Sequence, residues 1–203
     1  MRGALAADAQ RAAGALPTAE PFTRTTRRTV PTPPLRLGIA CDVSGSMKTL
    51  AAPVASTAWI LAHAARHTRV DTTTAAVIFG RYVRAVHGPG ELPAEVTEFL
   101  TTDNYEQADT AIDALDGALD LARPGAARLL VIVSDGQFRP DPRREAQTRI
   151  NRLLAAGCGV LWLAPADGHV TPLRGATVAA LSHPTATARA IGRAATTALR
   201  AAR

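Results

Sequence analysis

The chain predicts an α/β fold: a doubly wound, mostly parallel central sheet flanked by helices, with one short antiparallel edge strand. Three observations carry that prediction. Short, continuous apolar runs recur along the 203 residues, and the segments between them carry apolar residues at helical spacing. Continuous rather than alternating runs mark strands buried on both faces, as in a parallel sheet. Two of the runs stop at a carboxylate, Asp42 and Asp135, and open α/β sheets place their ligands at the C-terminal ends of such strands.

Residues 4–15 predict a short helix. The sequence then turns rich in Thr, Arg and Pro, closing with Pro31, Pro33 and Pro34. Proline removes donors and fixes φ, so residues 1–34 are expected to be an N-terminal arm or linker. Within it, 22–30 is a candidate for an added edge strand. The domain proper is expected over 35–203, and its abrupt start suggests a longer parent protein. Residues 35–42 are its first strand. A helix follows over about 47–66, with Pro53 in its first turns and Trp59, Ile60 and Leu61 as apolar contacts. Residues 74–79 form a second strand bounded by Gly80, and 81–86 a short third strand that pairs with it as a hairpin. Gly88-Pro89-Gly90 breaks the chain. Ile112, Leu115, Ala118 and Leu119 share one face of a helix over 111–121, which Pro124-Gly125 ends. Residues 129–134 are the most strongly apolar strand. A helix over about 142–156 stops at Gly157, a residue suited to helix C-termini. Strands over 160–164 and 176–181 and a helix over 187–202 complete the domain.

Hydrophobic residues make up 47% of the chain but aromatics only 4%, so the core must be built mainly from Ala, Val, Leu and Ile. No apolar run reaches membrane-spanning length. Arg2, Asp8 and Arg11 interrupt the apolar core that a secretion signal needs. Cys41 and Cys158 lack a nearby Cys or His partner. They are read as small buried residues in a reducing cytoplasm rather than as zinc ligands. The net charge of +6 raises nucleic-acid binding as a reading. The arginines are dispersed, however: Arg24, Arg27 and Arg28; Arg143 and Arg144; Arg193, Arg200 and Arg203. Without interleaved aromatics they read as solvated faces, and neither nucleic acid nor membrane is the expected partner.

The most informative stretch is Asp42-Val43-Ser44-Gly45-Ser46-Met47. It follows a buried strand, and Gly45 allows a tight turn into a helix. Asp42, Ser44 and Ser46 offer hard oxygen ligands, which suit Mg²⁺ or Mn²⁺ better than zinc. The run resembles the metal-ion-dependent adhesion site (MIDAS) of von Willebrand factor A (VWA) domains, which begins Asp-x-Ser-x-Ser on the first strand–helix loop. The resemblance implies the Rossmann-like VWA fold, of the intracellular bacterial type.

In that family the ligands come from three loops. The first supplies Asp42, Ser44 and Ser46. The third carries an Asp after a central strand, which Asp135 in Val131-Ile132-Val133-Ser134-Asp135-Gly136 matches. The second usually offers a Thr preceded by glycines, and residues 101–112 lack those glycines. Thr110 is the first choice, Asp109 follows from its spacing to Leu115, and Thr102 or Asp103 would serve if the loop folds back. Asp109 and Thr110 also suit a helix cap. The choice matters: with Thr the inner shell is neutral hydroxyls, and the ion stays electrophilic. A third carboxylate would offset that and weaken binding of an anionic ligand.

The resemblance therefore implies a non-catalytic, metal-dependent protein-binding domain, in which Mg²⁺ or Mn²⁺ bridges to an Asp or Glu of a protein partner. It points to an ATP-driven machine or another module of a larger parent protein as that partner. Among enzyme readings, a dinucleotide site fails because Gly45 stands alone where Gly-x-Gly-x-x-Gly is needed. The P-loop fails because Met47 precedes the Lys, and a hydrolase nucleophile lacks Gly-x-Ser-x-Gly. The runner-up is a Mg²⁺-dependent phosphatase-like or phosphotransferase enzyme using the same carboxylates. His63 and His67, one helical turn apart, read as a helix face without a third ligand. His87, His169 and His183 lie in or near predicted loops without an assigned role.

Overall fold

The computed structural model describes residues 2–18, 32–50, 55–56, 59–60, 63, 70–91, 93, 95–96, 105–166, 169–181 and 184–202. The chain divides into two compact units, Met1–Pro31 and Thr32–Arg203. In the first, helix α1 (Arg2–Ala12) carries an Arg11–Asp8 ion pair one turn apart, and the Gln10 side chain bonds Thr18 beyond its end. The edge strand considered at 22–30 lies outside the described residues.

The second unit holds a six-stranded sheet in the order β3-β2-β1-β4-β5-β6. Its strands are β1 (Leu35–Asp42), β2 (Thr72–Phe79), β3 (Val83–His87), β4 (Ala127–Val133), β5 (Gly159–Pro165) and β6 (Thr177–Leu181). Every neighbouring pair is parallel except β2 with β3, which forms the expected antiparallel hairpin at one edge. The two most apolar runs, β1 and β4, lie side by side at the centre. Strand order reverses between them, so the crevice for a ligand opens where Asp42 and Asp135 leave the sheet.

Alternate residues face opposite layers, as strand geometry requires. One face packs Ala40, Phe79, Leu130, Ile132 and Trp162 against helices α2 (Ala108–Leu119) and α3 (Pro140–Ala155), through Ile112, Leu115, Ile150 and Leu153. The other packs Ile39, Cys41, Val131 and Leu163 with Met47, Ala55 and Ile191, the last from helix α4 (Pro184–Ala201). Aliphatic and alanine side chains dominate both layers, which the low aromatic content demands.

Several boundaries shift for identifiable reasons. Helix α2 starts earlier than its periodicity predicts because Ala108 is already buried. It ends at Asp120, not at Pro124-Gly125, because Asp120 takes a left-handed conformation at φ 51°. Aspartate is one of the few types that tolerates this. Helix α3 starts at Pro140, whose fixed φ suits a first helical position. After β1 the chain opens as a 3₁₀ turn, Gly45–Leu50, in place of the expected α-helix start. Ala55, Ser56, Trp59, Ile60 and His63 are helical.

Candidate metal centre

The end of β1 turns sharply on its own aspartate. The buried Asp42 accepts the Ser44 N–H on Oδ1 at 2.8 Å, and the Met47 N–H closes the turn on the Ser44 carbonyl at 3.0 Å. This turn brings the Ser44 and Ser46 hydroxyls within 3.2 Å of each other. Ser44 is buried and Ser46 exposed, so the pair leads from the interior to the surface. Three of the sequence-predicted ligands thus stand together.

The end of β4 supplies the other half. Ser134 Oγ donates to Asp42 Oδ2 at 2.6 Å and accepts the Gly136 N–H at 2.8 Å. One hydroxyl thereby joins the loop bearing Asp42 to the loop bearing Asp135. Burial pushes the Asp42 carboxyl up to about 6, even though hydrogen bonds from Ser134 and Ser44 favour its ionised form. The Asp135 charge pushes it the same way, as the least of these causes. Sequence reading missed Ser134. Its only signal was a hydroxyl beside the strand-end aspartate.

The loop after β4 is fixed at many points. Trp162 Nε1 donates to the Ser134 carbonyl at 2.8 Å, and Phe138 lies between the Phe79 and Trp162 rings. Gln137 donates its N–H to Asp135 Oδ1 at 2.9 Å. Glu106, just before α2, accepts the Arg139 N–H at 3.3 Å and so helps to close the N-terminus of α3. Gln107 N–H in turn reaches the Gly80 carbonyl at the end of β2, so this segment too is held at the site's edge of the sheet.

The second loop stands differently. Thr110 and Asp109 lie in the first turn of α2, Thr110 exposed and Asp109 half-buried. Neither forms a hydrogen bond to Asp42, Ser44, Ser46 or Asp135. Thr102 and Asp103 lie outside the described residues. Glu106, although buried, does not complete an acidic cage: among the described residues no three His, Cys, Asp or Glu side chains group as a metal site. The candidate donors are two carboxylates and a hydroxyl pair. That hard, oxygen-only set fits a divalent cation that retains water, and not a closed zinc site. A cation there would also offset the charge that burial and Asp135 disfavour.

The histidines stand apart. His63 stacks on Trp59 at 4.1 Å between ring centroids, and its Nε2 meets the Pro93 carbonyl at 3.0 Å; His67 and His183 lie outside the described residues. Buried His87 contacts the Gly88 carbonyl, and His169 is exposed. Both cysteines are buried, as expected. Arg143, read from sequence as solvated, is instead half-buried.

The fold matches solved structures of known proteins. Proximal thread matrix protein 1 from the mussel byssus, solved with a zinc-occupied MIDAS motif, aligns at 14% identity and a TM-score of 0.60. The alignment covers 83% of this chain and 49% of that one, so this chain spans about half the mussel protein's length. Manganese-loaded TRAP protein of Plasmodium vivax aligns at 13% identity and 0.55, covering 75% and 70%. An aerotolerance-related membrane protein of Bacteroides fragilis aligns at 14% identity and 0.53, covering 80% and 99%. At such identities the likeness is one of fold. No curated protein sequence matches the chain. The sequence model of the VWA domain containing CoxE-like protein family matches residues 8–198, nearly the whole length. With the sheet order and the strand-end motif in agreement, the chain belongs to the family of VWA domain containing CoxE-like proteins.

Proposed function

We propose that this chain is a protein-binding domain whose recognition site is a divalent cation, Mg²⁺ or Mn²⁺, held by Asp42, Ser44, Ser46 and Asp135, with Thr110 as the second-loop ligand. The observation that carries the reading is the Ser134 hydroxyl joining the Asp42 loop to the Asp135 loop, beside a pair of hydroxyls 3.2 Å apart at the sheet's switch point. When bound, the cation supplies an open coordination position suited to a carboxylate oxygen of the partner. Ser44 and Ser46 add no charge of their own, which keeps that position attractive to an anion. Asp42 and Asp135, oriented by Ser134 and Gln137, offset the charge of the ion from beneath. The partner is then a protein presenting Asp or Glu, with an ATP-driven machine or another module of a longer parent as the proposed class. The cytoplasm is the proposed setting. Among the described residues no helix is long and apolar enough to cross a membrane.

The test is capture of partners from the native host with and without EDTA, using wild type and Ser46→Ala. Loss of the same acidic partner in both cases supports the proposal, because Ser46 is an exposed hydroxyl whose removal leaves the fold intact. Capture that survives both but fails at high salt would replace the metal bridge with general electrostatic binding.

A further inference from the structure

We infer that Arg143 is a positioning residue for Asp135, acting through the β5–β6 connection at residues 169–172. Its functional consequence rests on the metal reading above, whereas the clamp itself rests on hydrogen bonds.

The guanidinium of Arg143, one turn into α3, donates to three backbone carbonyls. Nη1 reaches Gly136 at 3.1 Å and Thr171 at 2.9 Å, and Nη2 reaches Pro172 at 3.1 Å. A planar fork satisfies several acceptors at fixed angles in a way an ammonium does not. Arg143 forms no ion pair among the described residues, unlike Arg149 and Arg152 on the same helix. Its role is one of geometry rather than charge neutralisation.

Two of the three carbonyls, those of Gly136 and Thr171, belong to residues tied to Asp135. Thr171 donates its N–H to the Asp135 carbonyl at 2.8 Å and its Oγ1–H to the Gly136 carbonyl at 2.6 Å. Gln137, whose N–H holds Asp135 Oδ1, also reaches Asp135 Oδ2 at 3.3 Å and the His169 carbonyl at 3.2 Å through its amide. The fit is close enough to require glycine next to the aspartate. Gly136 has φ +75°, and a Cβ there would lie 2.2 Å from the Thr171 carbonyl oxygen. Asp42 is oriented by its own turn and by Ser134. Asp135 depends in addition on a segment from a different connection, and Arg143 ties that segment to α3.

The experiment reads two quantities in Arg143→Ala: amide hydrogen exchange by NMR and Mn²⁺ affinity by calorimetry. Exchange at the Thr171 and Gln137 amides should accelerate at least tenfold while the core amides of Ile132 and Leu163 stay protected. Mn²⁺ binding should weaken by about tenfold or more, the effect typical of losing a group that orients a ligand. Arg143→Lys keeps the charge without the fork and should behave like Arg143→Ala. Two controls should match wild type in both readouts. Arg144→Ala removes the exposed neighbour paired with Asp141, and Arg128→Ala removes a guanidinium bridging carbonyls near the opposite end of β4. If Arg143→Ala does not fold, Arg143→Lys, which keeps the aliphatic stem and the charge, carries both readouts. Unchanged exchange, equal losses in Arg128→Ala, or full rescue by Arg143→Lys would overturn the clamp. A wild type that binds no Mn²⁺ would overturn the metal reading instead, and the exchange rates would still decide the clamp.

Discussion

Asp42→Asn should stabilise the protein in EDTA and remove its response to metal. Burial pushes the Asp42 carboxyl up to about 6, against an ordinary value of 3.8. A raised value means that the folded state holds this proton more tightly than the unfolded chain. Stability from this group is therefore full below about pH 4 and is lost as pH rises through 6. That difference corresponds to about 3 kcal/mol above pH 6, chiefly the cost of burying the charge. Asparagine mimics the neutral acid and escapes that penalty. It keeps the oxygen that accepts the Ser44 N–H but presents an N–H to Ser134 Oγ, which costs about 1 kcal/mol in a rearranged hydrogen bond. The net expectation at pH 7.5 in EDTA is a gain of about 2 kcal/mol.

Urea melts of both proteins across pH 4 to 8 measure this directly, since shared contributions from other groups cancel in the difference. The Asn protein should lead above pH 6 and lose its lead near pH 4. Adding Mn²⁺ should then close or invert the gap, because ligand at about 100 times its dissociation constant adds about 2.7 kcal/mol to the wild type alone. Wild type as stable as Asp42→Asn in EDTA at pH 7.5 would refute the electrostatic argument. An equal response of both proteins to Mn²⁺ would refute the site.

Three other outcomes follow from the structure. Gly136→Ala should lose about 2 kcal/mol or more in thermal or urea melts, since it adds left-handed strain to a 2.2 Å clash with the Thr171 carbonyl. Burial pushes the Cys41 and Cys158 thiols up to about 12, so neither should react with a thiol reagent at pH 8 until the protein unfolds; rapid native labelling would contradict their burial. Asp113 on α2 pairs with Arg149 at 3.1 Å and Arg152 at 3.0 Å on α3. Asp113→Ala should cost about 0.5–1 kcal/mol, less in 1 M salt, as denaturant melts at two ionic strengths would show.

What was legible in the sequence follows from how local each signal is. The central strands announced themselves because burial on both faces leaves unbroken apolar runs such as Leu129 to Val133. Asp42, Ser44 and Ser46 were legible because one turn holds them, and Asp135 because it ends a strand. Ser134 was hidden: its acceptor is Asp42, 92 residues away. Arg143 was hidden for a deeper reason. Its acceptors are backbone carbonyls, which every residue carries, so nothing in the side-chain pattern distinguishes it from the solvated Arg144 beside it. The end of α2 was missed because the visible breaker, Pro124-Gly125, lies beyond the residue that stops the helix, Asp120.

The same contacts explain why a site with such unfavourable electrostatics can persist in a folded domain. Burial is the chief cause that disfavours the Asp42 charge, and the Asp135 charge the least of those named. Asp42 is committed by β1, flanked by hydrogen-bonded strands on both sides, and by its bond to Ser44. Asp135 is committed by Trp162, Thr171 and Gln137 around its loop. Ser134 then ties one loop to the other through a single hydroxyl. The two apolar layers give the domain a core of its own, so cooperative unfolding is expected to persist in EDTA, unlike that of a zinc finger, and circular dichroism melts would show it. The buried charge is instead held by a rigid frame, which a cation of the kind proposed would meet already built.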